Sequence, residues 1–562
     1  MREFLAQARG EVKADLVFKN GLVADVFNGE LVETSVAVAG GIILGCGDYQ
    51  GEMEIDLAGQ ILAPGFIDGH CHVESGMVGV GEFARRVVAL GTTTVCADPH
   101  EIANVAGLSG VEWLLEEGRK YPWNFYLMLP SCVPASPWET AGAVLSAGDL
   151  AKLADKPGVH GLGEVMNYVG VIQGEADLWD KLKLMRDKFI DGHAPGLGGK
   201  DLNTYLLGGI RADHEITTEA EAREKVSSGM YVMIREGSAA RNLAALLPAI
   251  NKRNISRFLF ATDDRDPGDL LEQGHINYIV QRACELGLAP VDAIRLATIN
   301  SAQCLGLERV GAIAPGYRAD LIVLGDREQL FVTTVYKDGK LVAKDGEALF
   351  KPDEGPVPVP VGKSVRIAPV REEDFYLPAG EQYRVIELLP GEIVTREGRA
   401  GAQAVADLTK HNLARLAVVE RHHASGRIGL GLLRGLGLQR GAIATSVAHD
   451  SHHIIVAGIE PADMATAVAA VAAQDGGLVA VAAGEVLAEL PLTLGGLMST
   501  ASMEQVAERL HQVERAVQEL GVRLKSPYMA LSFLALPVIP ALKLTDRGLF
   551  DSKNFQPVNL TM

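Results

Sequence analysis

The pattern of apolar and polar positions changes character twice along the 562 residues. From 14 to about 62 the apolar runs are short and broken by Gly, Asn and Asp, so 15–18, 21–23, 34–38 and 41–44 read as strands of a small sheet. Between about 64 and 306, short apolar runs alternate with helical periodicity, as parallel βα units do. Eight candidate strands fall at 65–68, 93–97, 124–129, 159–163, 189–191, 210–212, 231–234 and 258–261. Helical stretches at 80–90, 110–117, 177–188 and 218–227 lie between them. Eight parallel strands over about 240 residues predict an α/β fold of the (β/α)8 barrel type, with reactive groups at the carboxyl ends of the strands. A doubly wound open sheet is the competing layout, but no Gly-rich dinucleotide loop follows the first strand.

Short strands return at 311–324, 332–336, 339–342 and 346–350. They are expected to complete the first sheet, so that 1–63 and 311–351 build one β-sandwich domain on both flanks of a barrel at 64–310. Prolines at 352, 356, 358 and 360 read as a stiff linker, 352–360. Residues 361–562 mix β-like runs (384–388, 416–420, 454–458, 478–481) with helix candidates at 463–473 and 502–520, which predicts a C-terminal α/β (α+β) domain.

Composition narrows the function. Hydrophobic content of 48% with 22% charged residues suits a globular enzyme with large cores. A formal charge of −19 disfavours a nucleic-acid backbone as partner, which needs clustered Lys and Arg. No apolar run reaches the ~18 residues of a membrane span. Met1-Arg2-Glu3-Phe4 lacks a basic segment leading into an apolar core, so no signal peptide is expected. Six scattered cysteines without a CxxC pair fit free thiols in a reducing cytosol. The expectation is a cytoplasmic homo-oligomer, a dimer, acting on a small molecule.

Chemistry-bearing residues recur where the barrel strands end. The first strand leads to His70 and His72, which share one side of an extended chain and together can grip a divalent cation. The second leads to Asp98-Pro99-His100-Glu101, the third to Ser131, the fourth to Glu164 and the fifth to His193. The sixth, seventh and eighth lead to Asp213-His214-Glu215, Arg235-Glu236 and Asp263-Asp264. Four histidines and two carboxylates suffice for two divalent ions, and Glu164 can bridge them. Such a pair acidifies a water between its members. Blander roles compete: loop or capping histidines, an Arg-paired Glu164, a structural Arg235. Cys71 reads as a packing residue and His160 as a core or supporting one. Asp263, facing away from its neighbour Asp264, is the candidate reactive aspartate.

Several strings resemble the amidohydrolase superfamily and, more finely, the bacterial adenine deaminases. They are the Pro64-to-His72 element, Asp98-to-Asn104, Gly163-to-Asn167, Asp191-to-Pro195, Asp213-to-Glu215, Thr262-to-Asp264, Ser446-to-His452 and Leu542-to-Asp551. The resemblance covers essentially the whole chain. It implies conversion of adenine to hypoxanthine and ammonia, supported by two Mn2+ or Fe2+ ions. It also implies a metal site of His70, His72, Glu164, His193, His214 and Asp263. Asp263 suits a proton shuttle. Glu101 and His100 are candidates for catalysis at the purine ring, with Ser131 and Arg235 as further binding candidates. The fourth strand carries no lysine to be carboxylated, which argues against the dihydroorotase and hydantoinase branch. The cytidine-deaminase zinc motif is absent too. The His449, His452, His453 group reads as a third metal site or as a solvated or interdomain loop able to close over the barrel mouth. Rival functions are hydrolysis of a cyclic amide or N-acetyl sugar, and a non-catalytic binding protein.

Overall fold

The structure, a computed structural model, describes residues 4–326, 329–353, 355–389 and 392–562. The signal-peptide reading of Met1 to Phe4 therefore rests largely on residues outside it, as does Glu354 of the linker. Eight strands run through the first half: β1 (Phe66–Cys71), β2 (Thr92–Ala97), β3 (Asn124–Leu129), β4 (Val159–Val165), β5 (Phe189–Gly192), β6 (Ala212–Asp213), β7 (Tyr231–Arg235) and β8 (Phe258–Ala261). β1 to β5 form one parallel sheet in chain order and β6 to β8 another. Backbone hydrogen bonds join them at both edges: Arg211 N donates to Ile190 O (3.0 Å), and Asp263 N to His70 O (3.0 Å). His72 N donates back to Asp263 O (3.1 Å). The curled parallel sheet fits a (β/α)8 barrel.

The strand sequences suit burial on both faces. β2 is Thr-Thr-Thr-Val-Cys-Ala and β8 is Phe-Leu-Phe-Ala, every residue buried, as expected of parallel strands covered by helices. Ile67, Cys96, Met128, Phe189, Met233 and Leu259, from six strands, pack against one another as an apolar floor. All the chemistry therefore sits above a packed core rather than over a pore.

Two local details differ from the sequence reading. The helix expected at 110–117 runs from His100 to Gly118 and bends at Gly107, whose φ of +59° is open to glycine. Its first turn therefore carries His100 and Glu101 directly off β2. The sixth strand, expected at 210–212, is only Ala212–Asp213. Asp213 is spent on a fully buried ion pair with Lys225 Nζ (2.5 Å) instead of continuing the ladder.

A four-stranded sheet (order Ile42–Cys46, Val36–Ala39, Ala14–Lys19, Gly51–Asp56) faces a seven-stranded one. The latter pairs Ile61–Pro64 from before the barrel with Leu321–Leu324 from after it. Phe18, Val38, Leu62, Val323 and Tyr336 share their core. The C-terminal residues build an eight-stranded sheet, antiparallel except where Gln382–Leu388 meets Ile428–Arg434. Helix Pro461–Ala473 buries Met464, Ala467, Val468 and Val471 against it. Helix Met503–Glu519 starts at a Ser502/Gln505 capping box. No helix among the described residues is long and apolar enough to cross a membrane.

The C-terminal sheet grips the long loop after β3. His453 Nε2 lies 2.8 Å from Thr140 O, His423 Nε2 2.9 Å from Ala141 O, and Thr140 Oγ1 donates to Asp546 (2.6 Å). Between them, Glu139 accepts from Ser451 Oγ (2.5 Å) and Ser136 N (2.8 Å). Burial, outweighing those hydrogen bonds, pushes the Glu139 carboxyl up to about 8. The folded chain thus keeps a proton that the unfolded chain releases near ~4.3. Its stabilising contribution is full below that pH and is lost as pH rises through about 8. Glu139→Gln removes the loss. Its denaturant midpoint relative to the unaltered chain is expected to climb from pH 5 to pH 8 and then level; a pH-independent difference would contradict this.

Candidate metal centre

The strand ends bring four imidazoles and two carboxylates to one buried spot. His70 Nδ1 is 2.8 Å from Asp191 Oδ2, and His72 Nδ1 donates to Asp98 O (3.0 Å). Both rings therefore turn Nε2 inward, 3.2 Å apart. His72 Nε2 lies 3.3 Å from Glu164 Oε1 and 3.2 Å from Asp263 Oδ1, while His70 Nε2 lies 3.4 Å from Asp263 Oδ1. The other Glu164 oxygen, Oε2, faces His193 Nδ1 (2.5 Å) and His214 Nε2 (3.3 Å). His70 and His214 stack with ring centres 4.1 Å apart. Two donor groups result, His70–His72–Glu164 and Glu164–His193–His214, each with its potential ligand atoms within 4.8 Å of one another. They share one carboxylate, which turns an oxygen to each.

Electrostatics keep this set charged. Burial raises the Glu164 carboxyl, but His193 and His214 outweigh it and hold it well below the ordinary range. Burial likewise raises Asp263, and Arg235 with the first two histidines pulls it far down. His70 is lowered by burial, yet Asp191 and Asp263 carry it up to about 10. A divalent ion takes the place of such shared protons when it binds neutral imidazole and carboxylate. The donor set suits one. The outward nitrogens of His70 and His72 are occupied by a carboxylate and a carbonyl, the arrangement that fixes a ligating tautomer. His193 Nε2 and His214 Nδ1 have no partner among the described residues.

Supporting residues hold the donors still. Asp98 Oδ2 accepts from Glu164 N (2.8 Å) and Oδ1 from His100 N (3.1 Å). Arg235 Nη1 reaches Asp263 Oδ2 (2.6 Å), and the same guanidinium pairs with Glu215. Asp263 has a left-handed backbone, φ +57°, a conformation that persists only where its surroundings dictate it.

His72, His100, Glu101, Glu164, Asp263 and Asp264 line one cavity with Arg235. Ser131 does not reach it: its hydroxyl donates to Glu164 O (2.5 Å) and steadies β4 from behind. Asp264 accepts from Ser75. His160 leaves the site for Leu305 O (2.6 Å), and Cys71 packs in the apolar core. From the last domain, His449 and Asp450 enter the cavity, while His453 stays at the domain contact. Glu101, His449 and His452 also lie within 4.8 Å. However, Ala448 N donates to His452 Nδ1 (3.2 Å), so the neutral ring carries its proton on Nε2 and offers no lone pair there. That weighs against a third metal. Asp98, Asp191, Glu215 and Phe533 went unassigned in the sequence reading. Asp191 had a readable signal, near the end of β5 and two residues before His193, whereas nothing local marks Phe533.

Comparison with known proteins places the chain. The amidohydrolase family profile matches residues 61–342, and that of the adenine deaminase C-terminal domain matches 392–556. The chain belongs to the amidohydrolase family, in its adenine deaminase branch. It is 49% identical to an adenine deaminase of Petrotoga mobilis, over 100% of this chain and 99% of that one. It is 46% identical to adenine deaminase 2 of Carboxydothermus hydrogenoformans over all of both chains, and 46% identical to an adenine deaminase of Dehalococcoides mccartyi over 99% and 98%.

Glu164→Gln tests the shared carboxylate. After reconstitution with Mn2+ and desalting, the variant is expected to retain fewer metal equivalents per chain than the unaltered protein by elemental analysis. Equal retention would remove Glu164 from between the ions.

Proposed function

We propose that the protein hydrolyses adenine to hypoxanthine and ammonia, using two divalent cations, Mn2+ or Fe2+, held by His70, His72, Glu164, His193, His214 and Asp263. The observation that carries this reading is Glu164, set between two histidine pairs with Asp263 alongside, in a chain nearly half identical to adenine deaminases from end to end. When bound, such cations acidify water at neutral pH. The residues of the chain supply the rest. Arg235 holds one Asp263 oxygen and keeps the carboxylate charged, so the other can take a proton and pass it to the departing amine. Glu101 and His100 face the same cavity, which supports a contact with the ring. The C-terminal residues His449, Asp450 and Phe533 cover part of the same cavity.

Around this centre we read residues 64–310 as the barrel, 1–63 with 311–351 as one flanking β domain, and 361–562 as a third unit. Six unpaired cysteines support a cytoplasmic setting.

Mn2+-loaded protein is expected to consume adenine in an ultraviolet assay with stoichiometric ammonia; hydrolysis of a cyclic amide without ammonia from adenine would refute the reading. Asp263→Asn is expected to keep most of its metal and lose turnover by roughly 10²–10⁴-fold. A near-normal rate would refute the shuttle.

A further inference from the structure

The C-terminal sheet sends one loop, between strands Ala442–Thr445 and Ile454–Gly458, across the mouth of the barrel. Its tip places His449 and Asp450 in the cavity with His72, Glu164 and Asp263. These two residues are only 3% and 2% exposed. Each nevertheless presents a polar atom without a partner among the described residues, Nε2 of His449 and Oδ2 of Asp450. Buried polar groups are seldom left unpaired, so two in succession at a cavity wall point to a ligand.

Their surroundings fix what they offer. The His449 ring stacks on Phe533, centres 4.6 Å apart and planes 14° from parallel. Its Nδ1 faces Glu101, 3.0 Å from Oε1, as an ion pair. Burial works against charge on this ring, but Glu101 outweighs it and raises the imidazole to about 9. Nε2 is then an N–H donor. Asp450 Oδ1 stands 3.7 Å from His100 Nε2, which leaves Oδ2 as an acceptor. Consecutive residues thus offer the cavity a donor and an acceptor.

We propose that His449 Nε2 and Asp450 Oδ2 form the subsite for the N3/N9–H edge of a free purine base, and that this pair excludes purines substituted at N9, nucleosides included. The inference rests on the adenine reading above. Away from its exocyclic amine, a free purine shows a ring-nitrogen acceptor next to an N–H donor, the complement of the pair. A substituent at N9 removes the N–H, strands Asp450 Oδ2 in a dry wall and sets carbon against it. Sites built to bond a polar group reject analogues lacking it by as much as 10⁴–10⁵.

The test uses hypoxanthine and 9-methylhypoxanthine, which are not turned over, titrated calorimetrically into Mn2+-loaded full-length protein. The unaltered chain is expected to favour hypoxanthine by at least ~100-fold. Asp450→Ala should bring the two within ~10-fold of each other, with metal content unchanged, and Asp450→Asn, which keeps an acceptor, should restore most of the preference. Equal binding of both ligands by the unaltered chain overturns the inference whether or not the variants fold. If adenine is deaminated but Asp450→Ala keeps the full preference, the inference fails alone. A chain that releases no ammonia from adenine fails the function and the inference together.

Discussion

One carboxylate sets the terms for the rest of the site. Glu164 is buried, charged and turned so that each oxygen meets a different pair of imidazoles. An anion so placed is tolerable only if everything around it is fixed, because an unpaired buried charge costs several kcal/mol. Fixation comes from a ring of unobtrusive residues. Asp98 holds the Glu164 amide and, through its carbonyl, the His72 ring. Asp191 holds His70, and Arg235 ties Asp263 to Glu215. His70, His72, Glu164 and Asp263 thus each have a second polar group behind them.

The barrel makes that arrangement possible. Its closure runs through the site itself, since the hydrogen bonds that seal β1 to the end of β8 belong to His70, His72 and Asp263. Ring closure and donor geometry are therefore a single event. The apolar layer of Ile67, Met128, Phe189 and Met233 beneath it prevents the donors from sinking or tilting.

Much of this was legible in the chain because the strands have to be buried on both faces. Near-continuous apolar runs such as Phe-Leu-Phe-Ala, followed at once by Thr-Asp-Asp, mark both the strand and the end that carries chemistry. The short sixth strand was displaced because nothing in Ala212-Asp213 reveals that the aspartate answers to Lys225. The start of the His100–Gly118 helix was hidden by Gly107, which reads as a breaker but only bends it. Ser131 stood at a strand end like the others, yet sequence position does not say which way a side chain turns off the ladder. The histidine-rich string at 446–452 marked a loop that could cover a barrel ending near 306, but nothing in the chain tied residue 533 to it. Its place there is a product of tertiary packing alone.

The roof of the cavity is encoded far downstream of its walls. All six inward-facing donors precede residue 264, whereas His449, Asp450 and Phe533 lie within the stretch that begins at 392. During synthesis every residue of the walls therefore leaves the ribosome before any residue of the roof. The cavity can be covered only once the chain is nearly whole, so its polar walls and its lid belong to different stages of the polypeptide's making.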